Sequence, residues 1–238
     1  MKKQITYILG LIVLSLTSFG QNVDSLVAKY ITATGGMELY QGIEKYAVHR
    51  LGTESNVPYE TKLAVAFNEK KVLKTRTVLS RNFLYNLDGT DATLYIPTGG
   101  LNRGSTYQNQ KLSDFEKSKL SLELVDKFLP ILNYKSKGYK TRMIGNKVIN
   151  GVSLIQLEFS KNDIVRNYFF NGKTGLIDQE DITYSNGEKV IYQHSVYVKL
   201  KNGLSYPSEG IMTELGKTRK INSELVINDV PESEYTVK

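Results

Sequence analysis

Most of the chain after residue 46 alternates between apolar and polar positions in short segments. The clearest runs are Leu63, Val65 and Phe67; Phe83, Tyr85 and Leu87; Ile155, Leu157 and Phe159; and Ile221, Ser223, Leu225 and Ile227. A period of two gives a strand one apolar and one polar face, which is typical of antiparallel sheets covered on one side. The pattern predicts twelve strands, at residues 47–56, 60–68, 71–79, 82–87, 92–96, 139–147, 152–160, 164–171, 176–184, 189–200, 204–214 and 218–227.

Turn dipeptides separate many of these segments. They are Asp88-Gly89, Asn150-Gly151, Asn171-Gly172, Asn186-Gly187 and Asn202-Gly203. Asn and Asp tolerate the positive φ angles of tight hairpins, and Gly adopts them freely. The repetition therefore predicts an antiparallel meander in a mainly β (α+β) chain. A closed barrel, an open barrel and a sandwich all fit this pattern.

Two short helices precede the strands. Val23, Leu26, Val27, Tyr30 and Ile31 recur at a spacing of three and four residues, and Gly35-Gly36 follows them. This spacing predicts a helix that Asn22 or Asp24 caps and that ends near Thr34. Residues 37–46 are expected to form a second short helix.

A third helix is predicted within the strand-rich region. Ser113 and Glu116 form an S-x-x-E capping box, and helical spacing continues through Phe115, Leu122, Val125 and Leu129. Pro130 lacks an amide hydrogen and is expected to end the helix near Leu129. An apolar helix face must be buried, so we expect this helix, residues 113–129, to lie across the concave side of the sheet.

The N-terminus has the pattern of an export signal. A charged start at Lys2 and Lys3 precedes an apolar run over residues 5–16, and Ser18-Phe19-Gly20 resembles a cleavage site. The run covers only about 18 Å of helix against a hydrocarbon layer of about 30 Å, which argues against a membrane anchor. We therefore predict a signal peptide over residues 1–20, cleavage before Gln21, and a single soluble, exported domain over residues 21–238.

Composition narrows the possible chemistry. The 238 residues are 40% hydrophobic and 23% charged, as in a folded protein, and they include no cysteine. Disulfides, thiolate metal sites, cysteine nucleophiles and a lipidated N-terminal cysteine are thus excluded. Without Lys2 and Lys3, 29 basic residues face 24 acidic ones, a formal charge of +5. An exported basic protein points to the anionic headgroups of a membrane surface or to polysaccharide rather than to nucleic acid.

No catalytic or cofactor site can be assembled from the sequence. The only histidines, His49 and His194, lack a metal-binding spacing, and Ser195 should point to the opposite face of its strand from His194. Phosphate-binding and nucleophile motifs do not occur. Four carboxylates near one hairpin offer Ca²⁺ ligands, although an exposed acidic rim is favoured. They are Asp178, Glu180, Asp181 and Glu188.

Several stretches together resemble one family of exported proteins. They are DSLVAKYITATGG at residues 24–36, IEKY at 43–46, LGT at 51–53, YFFNGKTGLI at 168–177 and GLSYP at 203–207. In this order they are similar to Bacteroidota-type members of the outer-membrane lipoprotein-sorting carriers, the LolA/LolB-like superfamily. The absence of cysteine departs from the membrane-anchored receptor type, and no position matches the arginine and protruding loop of the best-known members.

The resemblance implies an incomplete β-barrel, plugged by helices, with an apolar cavity that shelters acyl chains. It also implies a carrier with no catalytic role and no cofactor, whose partner is a lipid or an acylated protein. The residues expected to line the cavity are Leu63, Val65, Phe67, Phe83, Tyr85, Phe115, Leu122, Leu129, Leu157, Phe159 and Phe169. For any one of them, a place in a filled core is the alternative.

Two other functions compete with the carrier hypothesis. The same curved sheet could serve as a non-catalytic interaction module of the cell envelope, which binds a protein through its edge or through the glycine-rich loop at residues 99–104. A hydrolase acting on envelope polymers is the third and least supported hypothesis, because no nucleophile, base and orienting group can be combined.

Overall fold

Thirteen strands form one antiparallel sheet in the computed structural model, which describes residues 23–54, 57–99, 106–162 and 164–237. The predicted signal segment and nearly all of the predicted glycine-rich loop lie outside the described residues. The strands are β1 Lys45–Glu54, β2 Val57–Ala66, β3 Lys71–Val78, β4 Arg81–Asp88, β5 Asp91–Pro97, β6 Tyr107–Lys111, β7 Lys140–Ile149, β8 Val152–Lys161, β9 Ile164–Phe170, β10 Ile177–Thr183, β11 Lys189–Lys199, β12 Ser205–Glu214 and β13 Lys217–Ile227.

The sheet consists of two meanders joined at one strand pair. Strands β1 to β6 follow each other in order, as do β7 to β13, and β1 pairs with β13. Strands β6 and β7 are the two ends of the sheet and do not pair with each other in the described part of the chain. The structure is therefore an open, incomplete antiparallel β-barrel, which confirms the predicted fold class and selects one of the three architectures that the pattern allowed.

Helices cover the concave side of this sheet. They are α1 over residues 23–33, α2 Met37–Gln41 and α3 Asp114–Asp126, and a short 3₁₀ turn spans Glu232–Glu234 near the C-terminus. The main core cluster joins α1 and the turns after α3 to the inner faces of the strands. None of the helices in these residues combines the length and apolar character needed to cross a membrane.

Helix α3 differs from its prediction in length and in its buried face. It begins after the Ser113 cap, as expected, but ends three residues before Leu129. Lys127 and Phe128 have φ angles of 47° and 71°, in the left-handed region, and these angles stop the helix before Pro130 can. Val125 is 47% exposed, so its predicted burial is wrong, whereas Leu120 is buried.

Two further local predictions were wrong. The second helix ends at Gln41, and Tyr46 already belongs to β1. Strand β6 was not predicted, because the sequence Tyr-Gln-Asn-Gln-Lys has no apolar alternation.

The hairpin at Asn150-Gly151 has the positive φ angles, 50° and 79°, that its dipeptide predicts.

Candidate functional site

A cavity of about 250 Å³ lies between α3 and the concave face of the sheet. Its walls come from α3, the turn at residues 128–130 and the strands β1, β2 and β9 to β13. This position agrees with the expected position of the helix over the sheet, and a role of the cavity in lipid binding stays a prediction. Its lining, however, combines apolar side chains with many charged and tyrosine side chains.

The floor of the cavity is built from rows of residues that face each other across strands. On β1, Tyr46, Val48 and Arg50 point to the concave side because they are two residues apart. Strand pairing places Val48 between Leu63 on β2 and Leu225 on β13, which forms an apolar row. One step along, the same pairing forms a polar row, in which Arg50 lies between Thr61 and Ser223.

Helix α3 presents a mainly charged face to the cavity. Its cavity-lining residues are Glu116, Lys119, Leu120, Leu122, Glu123 and Asp126. Most of them recur at intervals of three or four residues, so they share one side of the helix. The helix is thus held over the cavity by polar contacts as well as by the buried Leu120 and Leu122.

Asp126 and Glu123 attach the last turns of α3 to the barrel. The Tyr139 hydroxyl donates one hydrogen bond shared by the two carboxylate oxygens of Asp126, each 2.8 Å away, and the Arg166 guanidinium lies 3.5 Å from this carboxylate. Glu123 accepts a hydrogen bond of 2.9 Å from the Tyr46 hydroxyl. Burial raises the pKa of Glu123, an effect that Arg166 and this hydrogen bond partly offset.

Two cations of the cavity wall have no anionic partner among the described residues. The Arg50 guanidinium lies over the Tyr192 ring, 5.3 Å from its centroid, and makes no hydrogen bond or ion pair there. Lys74 lies over the Tyr85 ring at 5.9 Å and likewise makes no ion pair in this part of the chain. Burial and the neighbouring Lys119 lower the pKa of Lys74.

Tyrosines supply much of the remaining wall. Those that line the cavity are Tyr30, Tyr40, Tyr46, Tyr168, Tyr184, Tyr192, Tyr197 and Tyr206. Burial raises the pKa of Tyr40 and that of Tyr184 to about 12, so these hydroxyls are neutral at ordinary pH. A neutral phenol offers an apolar ring and a group that donates and accepts hydrogen bonds, which suits an amphipathic guest.

His194 is a half-buried neutral imidazole rather than part of a nucleophilic pair. Burial and the nearby positive charge of Arg50 lower its pKa to about 4. Its ring stacks on Tyr192 at 6.5 Å and meets the edge of Tyr197 at 6.1 Å. Ser195, the next residue, is exposed at a register shift in β11, so the two side chains do not form a Ser-His pair.

Gly210 on β12 is required at this register shift. A Cβ atom at this position would lie 2.2 Å from the Gln193 carbonyl oxygen, a distance that no side chain can occupy. The close approach of the two strands therefore depends on glycine, and it occurs beside His194, which pairs with Gly210.

Solved structures share this arrangement of strands and helices. A LolA superfamily protein from Nitrosomonas europaea is 14% identical with a TM-score of 0.53, and the match covers 90% of this chain and 97% of that one. A DUF1329 family protein from Desulfovibrio piger is 11% identical with a TM-score of 0.53 and the same coverage. An outer membrane lipoprotein-sorting protein domain from Vibrio parahaemolyticus is 12% identical with a TM-score of 0.50, over 83% of this chain and 92% of that one.

The chain has a LolA/LolB-like fold. No protein-family model matches it, and a comparison with curated proteins gives no match. At these identities the likeness is one of fold, and the Bacteroidota type stays a prediction. Within this LolA/LolB-like fold, the cavity lies on the concave side, beneath α3.

The residues expected from the sequence to bind the ligand do not all lie at the cavity. Leu63, Leu122 and Leu129 line the cavity. Val65, Leu157 and Phe159 belong to the main core cluster, and Phe67 and Tyr85 pack against it. Phe83 is half-buried on β4, and Phe115 packs its edge against Tyr184 at 6.0 Å. Their contact with a ligand stays a prediction.

Phe169 lies on the opposite face of the sheet from the cavity. Its neighbours Tyr168 and Phe170 belong to the main core cluster, and alternation along β9 turns Phe169 outward. There it is covered in part by the Lys147 ammonium group, 5.3 Å from its ring centroid.

The polar cavity residues Arg50, Thr61, Ser223 and Arg166 were not selected from the sequence. A signal for two of them was present, because each interrupts an apolar face at period two. Arg50 follows Tyr46 and Val48, and Ser223 lies between Ile221 and Leu225. A polar residue in such a position points to a wet or ligand-facing part of the interior.

The four carboxylates of the acidic hairpin each bind a different partner. Glu180 pairs with Arg166 at 3.0 Å, Asp181 with Lys189 at 3.0 Å, and Glu188 with Lys119 at 3.3 Å. Asp178 accepts a hydrogen bond of 3.0 Å from the Asn171 side chain. Among the described residues, no three His, Cys, Asp or Glu side chains are placed to hold a metal ion.

Proposed function

We propose that this protein is an exported, non-catalytic carrier that shelters an acyl chain of a lipid or acylated protein in the cavity beneath α3. The cavity itself is the observation that carries the proposal, since it leaves space between the helix and the sheet that the chain's own side chains do not fill. The likeness in fold to a lipoprotein-sorting protein domain supports the same function.

The size of the cavity favours a single chain. Its volume of about 250 Å³ lies near the lower end of small-molecule sites, which span roughly 300–1,000 Å³. Burial of an acyl chain yields about 0.8 kcal/mol per CH₂, so a sixteen-carbon chain offers on the order of 12 kcal/mol before ordering costs. Partial enclosure of one chain is enough for micromolar binding, which corresponds to a binding free energy of about −8 kcal/mol.

The apolar part of the wall is the proposed place for the chain. Val48 and Leu63 form part of the floor, Leu120 and Leu122 descend from α3, and Leu129 closes one side. These side chains come from separate elements and converge on one space. We place the protein in the periplasm on the basis of the N-terminal export pattern.

Native mass spectrometry of protein purified without detergent tests the proposal. We expect a co-purifying species of acyl-lipid mass, which is released by collisional activation, and uptake of a fluorescent fatty acid. Absence of both would contradict the carrier function.

A pair of matched variants locates the binding. Leu63→Trp places an indole in the cavity and should reduce fatty acid uptake at least tenfold. Leu51→Trp makes the same substitution on the outer side of β1, where the residue is exposed, and should leave uptake unchanged. Equal loss in both variants would mean that the cavity is not the binding site.

The open edges of the sheet favour a protein-interaction module as the second candidate. Strand β7 has no partner on one side in the described part of the chain, and it exposes Ile144 and Val148. An exposed edge can accept a strand from another protein. Two results together would favour this function over the carrier. The wild type would bind an envelope protein that the β7 variant Ile144→Pro does not bind, and the wild type would carry no lipid.

A further inference from the structure

Three polar side chains on the floor of the cavity have no hydrogen-bond or ion-pair partner among the described residues. Arg50 on β1 lies directly between Thr61 on β2 and Ser223 on β13, and all three line the cavity. Among the described residues, none of the three side chains makes a hydrogen bond or an ion pair. Thr61 is 7% exposed and Ser223 is 8% exposed, and both line the cavity rather than the outer face of the sheet.

Polar groups that line a cavity and have no protein partner are available to a ligand, because a hydrogen bond to a ligand replaces one to water inside the cavity. Two hydroxyls and a guanidinium on one level of a cavity therefore indicate a ligand group that accepts hydrogen bonds. A guanidinium presents several N–H donors in a planar fork, which matches the paired oxygens of a carboxylate or phosphate. The stacking of Arg50 on Tyr192 restricts the orientation of this fork.

Most of the other charged groups of the cavity are engaged with each other, and Lys74, which has no anionic partner among the described residues, lies over the Tyr85 ring. Arg166 pairs with Glu180 and Asp126, and Lys119 pairs with Glu116 and Glu188. Glu123, the carboxylate that competes most directly for Arg50, accepts its hydrogen bond from Tyr46 and lies beyond ion-pair distance of Arg50. Arg50 is thus the guanidinium of this cavity that is available to an anion from outside the chain.

The apolar row lies next to this polar row. Same-face residues on a strand are about 7 Å apart, so Leu63, Val48 and Leu225 begin one step from Thr61, Arg50 and Ser223. We infer that the ligand is an acyl-chain amphiphile with an oxyanion head, a carboxylate or a phosphate, which Arg50, Thr61 and Ser223 bind. This inference rests on the proposed carrier function, which requires only the apolar part of the cavity.

Three probes with the same twelve-carbon tail test the head group: dodecanoate, dodecyl phosphate and dodecanol. Each is titrated against the full chain loaded with the neutral fluorophore N-phenyl-1-naphthylamine, and displacement is measured. We expect one or both anions to bind at least about tenfold tighter than dodecanol, as a charge-assisted hydrogen bond predicts. The tighter anion identifies the head group, and acetate or inorganic phosphate alone should not displace the fluorophore.

Substitutions distinguish the binding of the head group from the binding of the acyl chain. Arg50→Gln should remove the preference for anions and leave dodecanol binding within about twofold of wild type. Lys220→Gln removes an exposed positive charge from β13 and should change neither. Thr61→Val and Ser223→Ala should each weaken anion binding about threefold or more, and they serve as the test if Arg50→Gln does not fold.

The outcomes distinguish the inference from the function on which it rests. Equal binding of dodecanol and the anions, or equal loss of all probes in Arg50→Gln, would overturn the anionic head group and leave the carrier function standing. Displacement by free phosphate or acetate at the same concentrations would show an anion site without a chain. Failure of all three probes would overturn both proposals.

Discussion

The Arg166 guanidinium on β9 lies 3.5 Å from the Asp126 carboxylate at the end of α3 and joins the helix to the sheet. The same guanidinium pairs with Glu180 on β10 at 3.0 Å. The side chains of Arg166 and Asp126 are only 11% and 4% exposed, so neither charge can be left without its partner at low cost. The helix over the cavity therefore depends on a buried ion pair as well as on leucine packing.

Replacement of Arg166 by Met should destabilise the fold strongly. Removal of one partner of a buried pair leaves an uncompensated charge, which costs about 3–5 kcal/mol. Urea unfolding of Arg166→Met should show a loss of this size. The exposed pair between Arg142 and Glu158 is the control, and Arg142→Met should cost at most about 1 kcal/mol. Similar losses in the two variants would contradict the buried role of Arg166.

His194 should titrate well below an ordinary histidine. Its pKa is lowered to about 4 by burial and by Arg50, so the unfolded chain binds more protons than the folded one between about pH 4 and 6.5. Stability should therefore fall as the pH falls through this window, and His194→Gln should flatten that part of the profile. In a His49→Gln background, proton NMR of the remaining imidazole should give a pKa near 4. A value near 6.5 would contradict its burial.

The candidate ligand residues should separate into core and cavity positions. Phe159 is fully buried and packs against Tyr134, Tyr139 and Tyr168, with ring centroids 5.3–6.5 Å apart. Phe159→Ala should thus lower the free energy of unfolding by about 3–5 kcal/mol. Leu63→Ala, at the cavity wall, should cost less stability and weaken fatty acid uptake. Chemical denaturation and uptake measured on both variants provide the check, and equal stability losses would contradict the assignment.

The sequence predicted the strands where alternation and turn chemistry coincide. The runs at Leu63, Phe83 and Ile155 all fall on strands, as do the segments that flank Asn150-Gly151. Strand β6 carries no such signal, because it depends on pairing with β5 rather than on a buried face. The turn at Leu79 and Ser80 falls at the predicted boundary between two strands, although its positive φ angles, 48° and 61°, occur without glycine.

The location of the cavity was predictable, but its polarity was not. A helix with leucines at helical spacing must bury them against the sheet. This requirement predicts that α3 lies over the concave side, with any cavity beneath it. Which strand faces meet each other is a property of the sheet order and register. Arg50, Thr61 and Ser223 are far apart in sequence, and only the pairing of β2, β1 and β13 brings them into one row.

The position of the acyl chain tests the account most directly. NMR spectra of the methyl-labelled protein with bound dodecanoate should show contacts from the chain to Val48, Leu63, Leu122 and Leu129, which line the cavity. Val226, exposed on the outer face of β13, should show none. Contacts restricted to Val226 and other outer residues, or no contact with the four cavity side chains, would contradict the proposal that the protein carries a lipid beneath α3.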